Sequence, residues 1–160
     1  MAVDMFLKLD GIDGEAQDSE HEKEIDVLAW SWGSSQSGTT HMGAGGGAGK
    51  VNIQDLSITK YVDASSHALF LHCCNGKHIT TATLFVRKAG ENPLEYIKIE
   101  MEDIMVTSLS TGGSGGEDRL TENLTLNFSV VKFIYTEQGK DGKGGAEKET
   151  GWDIAGNVKK

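Results

Sequence analysis

Apolar and polar residues alternate with period 2, the mark of a half-buried strand, in nearly every apolar segment of the chain. Val3, Met5 and Leu7 share one face of the first segment. In residues 25–32 (IDVLAWSW), Leu28, Trp30 and Trp32 fall on one side and Ile25, Val27, Ala29 and Ser31 on the other. Both sides are substantially apolar, as in a strand that covers a core with one face and meets a second sheet or subunit with the other. The alternation in residues 51–58 (VNIQDLSI) changes phase between Ile53 and Leu56, which predicts a bulge or bend. Three clearer strands follow. Ala82, Leu84 and Val86 oppose Thr83, Phe85 and Arg87; Ile97, Ile99 and Met101 run in phase; Leu124, Leu126, Phe128 and Val130 oppose Thr125, Asn127 and Ser129.

Residues 63–78 (DASSHALFLHCCNGKH) break this pattern. A start at Asp63 or Ser65 and a stop at Gly76 predict one short helix over 64–75. Glycine-rich or charged loops are expected at 33–49, 111–119 and 138–149, and loops this long inside a compact domain are usually functional or ordered by a partner. The pattern predicts a mainly β protein with a single helix.

Composition narrows the function classes. At 160 residues the chain fits one domain, 1–160, large enough to bury a core without disulfides or a structural metal. Fifteen basic against 24 acidic residues leave a net charge of -9, which disfavours nucleic acid, and no basic patch offsets it. No apolar run approaches the roughly 20 residues that span a bilayer, so no membrane insertion is expected. Asp4, Lys8 and Asp10 interrupt any signal-peptide core, which predicts a cytoplasmic start. Adjacent Cys73 and Cys74 read as two buried, reduced thiols, because a vicinal disulfide strains the peptide between them.

Candidate chemical motifs each fail on context. Residues 43–50, GAGGGAGK, suggest a phosphate cradle, but a Walker loop needs glycine where Ala44 stands and a hydroxyl where Val51 stands. The G-x-G-x-x-A match at Gly43, Gly45 and Ala48 lacks a strand before it and a helix after it. Residues 112–116, GGSGG, match a nucleophile elbow around Ser114, yet period 2 resumes afterwards and all five histidines precede the serine. A hairpin loop is the better reading. His72, Cys73, Cys74 and His78 carry zinc-ligand chemistry, but consecutive helical residues point about 100° apart and cannot converge on one ion. Carboxylates at Glu15 and Asp18, and at Glu20 and Glu24, read as solvated faces. No catalytic residue, cofactor or metal is expected.

Three stretches go further: IDVLAWSWG at 25–33, HMGAGGGAGKVNIQDLSITKY at 41–61, and STGGSGGEDRLTENLTLNF at 110–128. In order and across the whole chain they resemble the haemolysin co-regulated protein (Hcp) family, whose signature here includes Trp30, Trp32, Gly115, Gly116, Glu117, Asp118, Arg119, Thr121 and Glu122. The resemblance implies a small two-sheet β-barrel with one flanking helix. It also implies homohexameric rings that stack into the tube expelled by the type VI secretion apparatus, with that system's spike and sheath proteins as partners and small effectors in the lumen. On that reading Trp30 and Trp32 fill the barrel, Ala29 and Ser31 face the lumen or a neighbour, and Gly43, Ala44, Gly45, Gly46 and Gly47 belong to the ring-stacking loop. The competing classes are a secreted monomeric β-sandwich that binds a ligand and a serine hydrolase using Ser114.

Overall fold

The computed structural model describes residues 3–38, 49–88, 90, 93–139 and 144–160. Ten strands and one helix follow in the order β1 (Val3–Leu9), β2 (Ile25–Ser31), β3 (Ser34–Ser35), β4 (Asn52–Ile53), β5 (Leu56–Tyr61), α1 (Ser66–Asn75), β6 (Ile79–Lys88), β7 (Leu94–Thr111), β8 (Thr121–Gln138), β9 (Gly144–Asp153) and β10 (Val158–Lys159). The sheet runs β10-β9-β8-β5-β2-β1-β6-β7, and β7 pairs with β8, so six strands close into a barrel. The two 18-residue strands, β7 and β8, make this possible. The first half of β8 pairs with β5 and its second half with β9, which carries β10 as a short extension. β3 and β4 form a separate small ribbon.

The barrel is filled from every strand. Leu7, Ile25, Leu56, Ile58, Leu84, Ile99, Met101, Ile104, Leu124 and Leu126 are essentially inaccessible. At about 1.5–3 kcal/mol for each fully buried large aliphatic side chain, this cluster dominates the stabilising side of folding. α1 adds Leu69 to it. The helix ends as its sequence predicts: Gly76 adopts φ 68° and donates its N–H to the His72 carbonyl, satisfying an orphan carbonyl with a residue that lacks a Cβ to clash.

The alternation expected along β2 holds from Ala29 to Ser31 but not in its first half. Ile25 and Val27 point into the core, not away from it. The pairing of β2 with β5 then shifts register between Val27 and Ala29. This bulge leaves Leu28 and Ala29 both outward, turns Trp30 inward against the core and leaves Ser31 exposed. A bulge thus converts a strand that alternates on one phase into one that uses both. The phase change between Ile53 and Leu56 marks the step from β4 to β5. Two expected loops are also shorter. The 33–49 loop includes β3, and residues 144–149 of the expected 138–149 loop belong to β9, an exposed strand held by backbone pairing to β8.

Outside the barrel, residues 10–24 cross the outer faces of β1 and β6. There His21 stacks on Phe6 with ring centroids 4.4 Å apart and lies 4.7 Å from Phe85. Carboxylates expected to be solvated do structural work here. Both oxygens of Glu24 lie 3.0 Å from His21 Nδ1, Glu95 meets Nε2, and Asp18 pairs with the buried Arg87 guanidinium. The guanidinium beside Asp18 holds that carboxyl down to about 2. The thiols also differ from expectation: Cys73 is half-buried and Cys74 is exposed, both unbridged.

Candidate functional site

The closed barrel brings together an outer face that alternation alone assigns strand by strand but cannot assemble. Ser31 pairs with Ser57, Ser57 with Thr125, and Thr125 with Ser108. Ala29 pairs with Thr59, Thr59 with Asn123, and Asn123 with Ser110. Directly paired residues project from the same side of a sheet. These are therefore two rows across β2, β5, β8 and β7, and all eight residues are small and uncharged in a chain of net charge -9. The alternate positions, Trp30, Ile58, Leu124 and Leu109, face the core.

Short hydrogen bonds knit the face. Thr59 Oγ1 donates to Asn123 Oδ1 at 2.8 Å, and the hydroxyls of Thr125 and Ser108 lie 2.6 Å apart. Asp55 caps one end, accepting from Thr107 Oγ1 at 2.7 Å and Asn127 Nδ2 at 2.9 Å. Ala29 and Ser31, the expected lumen positions, both lie on this surface. Strand alternation by itself does not single out Ser57, Thr59, Ser108, Ser110, Asn123 and Thr125. Their signal is the identity of the polar partners in LSITKY, TSLST and NLTLNF, none of which is charged on this face.

The signature residues divide between core and rim. Trp32 lies just beyond β2, stacked on Phe133 at 6.2 Å, and is one wall of an apolar cleft. Gly115, Gly116, Glu117 and Asp118 lie in the exposed hairpin between β7 and β8. Ser114 sits there too, its Oγ accepting from the Gly116 N–H at 3.4 Å, and β8 rather than a helix follows. Arg119 lies over the Tyr61 ring at 3.7 Å, and Thr121 pairs with Tyr61. Close by, burial pushes the Asp26 carboxyl up while Arg119 opposes the shift.

Glu122 is buried at the barrel end, where its carboxylate meets the Nζ of Lys60 and accepts from Ser66 Oγ at 2.6 Å. Lys60, with no exposed surface, also reaches Asp63 at 3.0 Å and the Tyr61 carbonyl at 2.9 Å. Lys60 therefore ties β5, β8 and the start of α1 together, and part of the signature is an internal brace. The stacking residues Gly43, Ala44, Gly45, Gly46 and Gly47 lie outside the described residues. One histidine cluster, Glu20, His21 and Glu95, has ligand atoms within 4.8 Å of one another. Both of its ring nitrogens already meet carboxylates, and it pins residues 10–24 to β7. His72 and His78 diverge, to the Ala68 carbonyl at 2.7 Å and to Asp103 at 2.6 Å.

The class defined by the fold is a closed β-barrel with one flanking helix and a small uncharged outer face, and Ser114 sits in a hairpin that leads into a strand. Comparison with known proteins agrees. Residues 6–135 match the family model of the type VI secretion system effector Hcp. The chain is 58% identical over 160 residues to protein hcp1 of Pseudomonas aeruginosa, covering 99% of each. Among solved structures it resembles a type six secretion system protein (TM-score 0.94, 30% identity, 99% of this chain and all of that one). It also resembles Hcp1 from Salmonella typhimurium (TM-score 0.82, 38% identity, all of both chains). The chain belongs to the Hcp family and is a type VI secretion protein, not an enzyme. No helix among the described residues is long and apolar enough to cross a membrane.

Proposed function

We propose that this chain is the tube subunit of a type VI secretion system: a single barrel domain, assembled into homohexameric rings that stack into the expelled inner tube and carry small effectors in their lumen. The observation that carries this reading is the two-row face of Ala29, Ser31, Ser57, Thr59, Ser108, Ser110, Asn123 and Thr125. A conduit lined by one sign of charge traps or repels cargo, whereas short hydroxyls and amides hydrate the wall and leave clearance. The rest of the surface carries the net negative charge. The rings form in the cytoplasm and leave through the type VI apparatus, with its spike at the tube tip and its sheath outside. Residues 43–47 carry no charged side chain, and this reading assigns them to ring stacking.

Native mass spectrometry tests the ring. Six copies of the 17.2 kDa chain give about 103 kDa, whereas a monomeric ligand-binding protein gives the single-chain mass. Ser31→Gln, which lengthens one lumen side chain, keeps the ring mass and changes which effectors co-purify. Unchanged recovery of every effector removes Ser31 from the lumen assignment.

A further inference from the structure

Among the described residues, one group of three histidine and carboxylate side chains brings its ligand atoms within 4.8 Å of one another: Glu20, His21 and Glu95. Two of them are neighbours on the 10–24 segment and the third is on β7. The His21 side chain is only 4% exposed, and its ring packs against both Phe6 and Phe85. A ring held this way has little room to turn, so the fold decides what its two nitrogens face.

Both nitrogens face carboxylates, and an ionised carboxylate only accepts. Glu24, with both oxygens 3.0 Å from Nδ1, accepts the Nδ1–H. In the neutral ring Nε2 is then a lone pair aimed at Glu95 Oε1, acceptor against acceptor, among the carboxylates of Glu20, Glu24 and Glu95. A cation between imidazole and carboxylate removes the conflict. A proton does this for His21 and Glu95 alone, whereas a divalent ion engages Glu20 as well. Imidazole nitrogen with two carboxylate oxygens is a donor set for zinc and its first-row neighbours, not for Mg²⁺ or Ca²⁺, which take oxygen. A histidine ligand whose other ring N–H is held by a carboxylate is the usual outer-shell arrangement at such ions, and Glu24 supplies it here.

Ligand atoms about 2.0–2.2 Å from a tetrahedral ion stand roughly 3.3–3.6 Å from one another, so small side-chain rotations bring the three groups onto one ion. Glu20 and Glu95 have that freedom, with side chains 64% and 25% exposed. Arg87, the cation that Glu20 otherwise meets at 3.7 Å, makes its hydrogen bonds to Asp18 and Asp4.

We infer that Glu20, His21 Nε2 and Glu95 bind one divalent first-row transition ion of the zinc type, with Glu24 as the positioning residue behind His21, and that the ion locks the 10–24 segment to β7. The remaining coordination positions go to water. All four residues belong to one chain, so the inference stands apart from the ring reading.

Calorimetric titration of the full, chelator-stripped chain with Zn²⁺ tests this, in a Cys73→Ser, Cys74→Ser background that removes the thiols of α1 as competing ligands. The expected result is one Zn²⁺ per chain, not displaced by Mg²⁺, with a shift of the His21 Nε2 resonance in nitrogen NMR. Glu20→Gln and Glu95→Gln should abolish the stoichiometric binding, and Glu24→Gln should weaken it about 10–100-fold, with circular dichroism confirming that each variant is folded. Glu20 is largely exposed, so Glu20→Gln remains informative if a change at the more buried positions disturbs the fold. Absence of stoichiometric binding overturns the inference and leaves a proton alone closing the clamp. Binding that is unchanged in Glu20→Gln and Glu95→Gln overturns it by placing the ion elsewhere, and equal displacement by Mg²⁺ overturns it by showing only diffuse attraction to an acidic surface.

Discussion

At the scale of single residues, Lys60 carries the largest commitment. A fully buried ammonium is tolerated only when paired and hydrogen-bonded, and Lys60 meets Glu122, Asp63 and the Tyr61 carbonyl. Lys60→Met keeps most of the volume but strands two buried carboxylates. Breaking such a pair from one side costs about 3–5 kcal/mol. At about 2–4 °C per kcal/mol for a chain of this size, thermal unfolding should fall by roughly 6–20 °C, and adding Glu122→Gln should recover part of the loss. Asp18 makes a milder, pH-dependent contribution. Arg87 lowers its carboxyl to about 2, below the ordinary value of about 4. A lowered carboxyl stabilises the fold above its unfolded value, and that contribution is lost as pH falls through about 2. Asp18→Asn should therefore lower stability at pH 7 and leave the difference from the parent protein near zero at about pH 2, measured by urea unfolding across that range. Each residue has one partner far away along the chain, Glu122 for Lys60 at 62 positions and Arg87 for Asp18 at 69.

At the scale of elements, most boundaries follow from local rules. Gly76 is where a left-handed residue must stop α1, and Gly76→Ala should cost about 1–2 kcal/mol, read as a lower unfolding temperature with the β spectrum intact. β2 shows where local reasoning stops. In IDVLAWSW both phases are apolar, and only pairing with β5 reveals the bulge after Val27 that makes the first phase inward at one end and the second inward at the other. β9 is the opposite case. GGAEKE has no apolar alternation, all six residues are exposed, and its extended form comes from backbone bonds to β8. A strand without a buried face leaves no hydrophobic trace in its sequence.

At the scale of the whole molecule, the proposed assembly makes the glycine-rich segment a matter of stacking rather than of folding. Fixing backbone costs about 1–2 kcal/mol per residue, so on this proposal a single inter-ring contact is weak and six copies add up. Deleting residues 43–47 should leave a 103 kDa ring by light scattering but abolish tube growth by electron microscopy and halt secretion; normal secretion would move stacking to the β8–β9 connection and the C-terminal strand. Ser114, in a hairpin with no helix behind it, should tolerate alanine. Ser114→Ala should secrete normally, and a fluorophosphonate probe should leave the parent serine unlabelled.

The residues by themselves determined the mainly β class, the helix with its Gly76 stop, the inward phases of β6 and of the first half of β8, and the failure of each enzymatic motif, since these depend on neighbours within a few positions. The ordered motifs also carried the family. Tertiary structure alone decided the barrel's closure through β7 and β8, the bulge in β2, the brace from Lys60 to Glu122 and the clamp on residues 10–24. It also decided that eight small residues from four strands form one uncharged face. The physical reason is common to all of these. Period and capping are written in residues close along the chain, whereas register, ion pairing and shared surfaces join residues such as Lys60 and Glu122 that are 62 positions apart, and those are specified only when the strands are laid side by side.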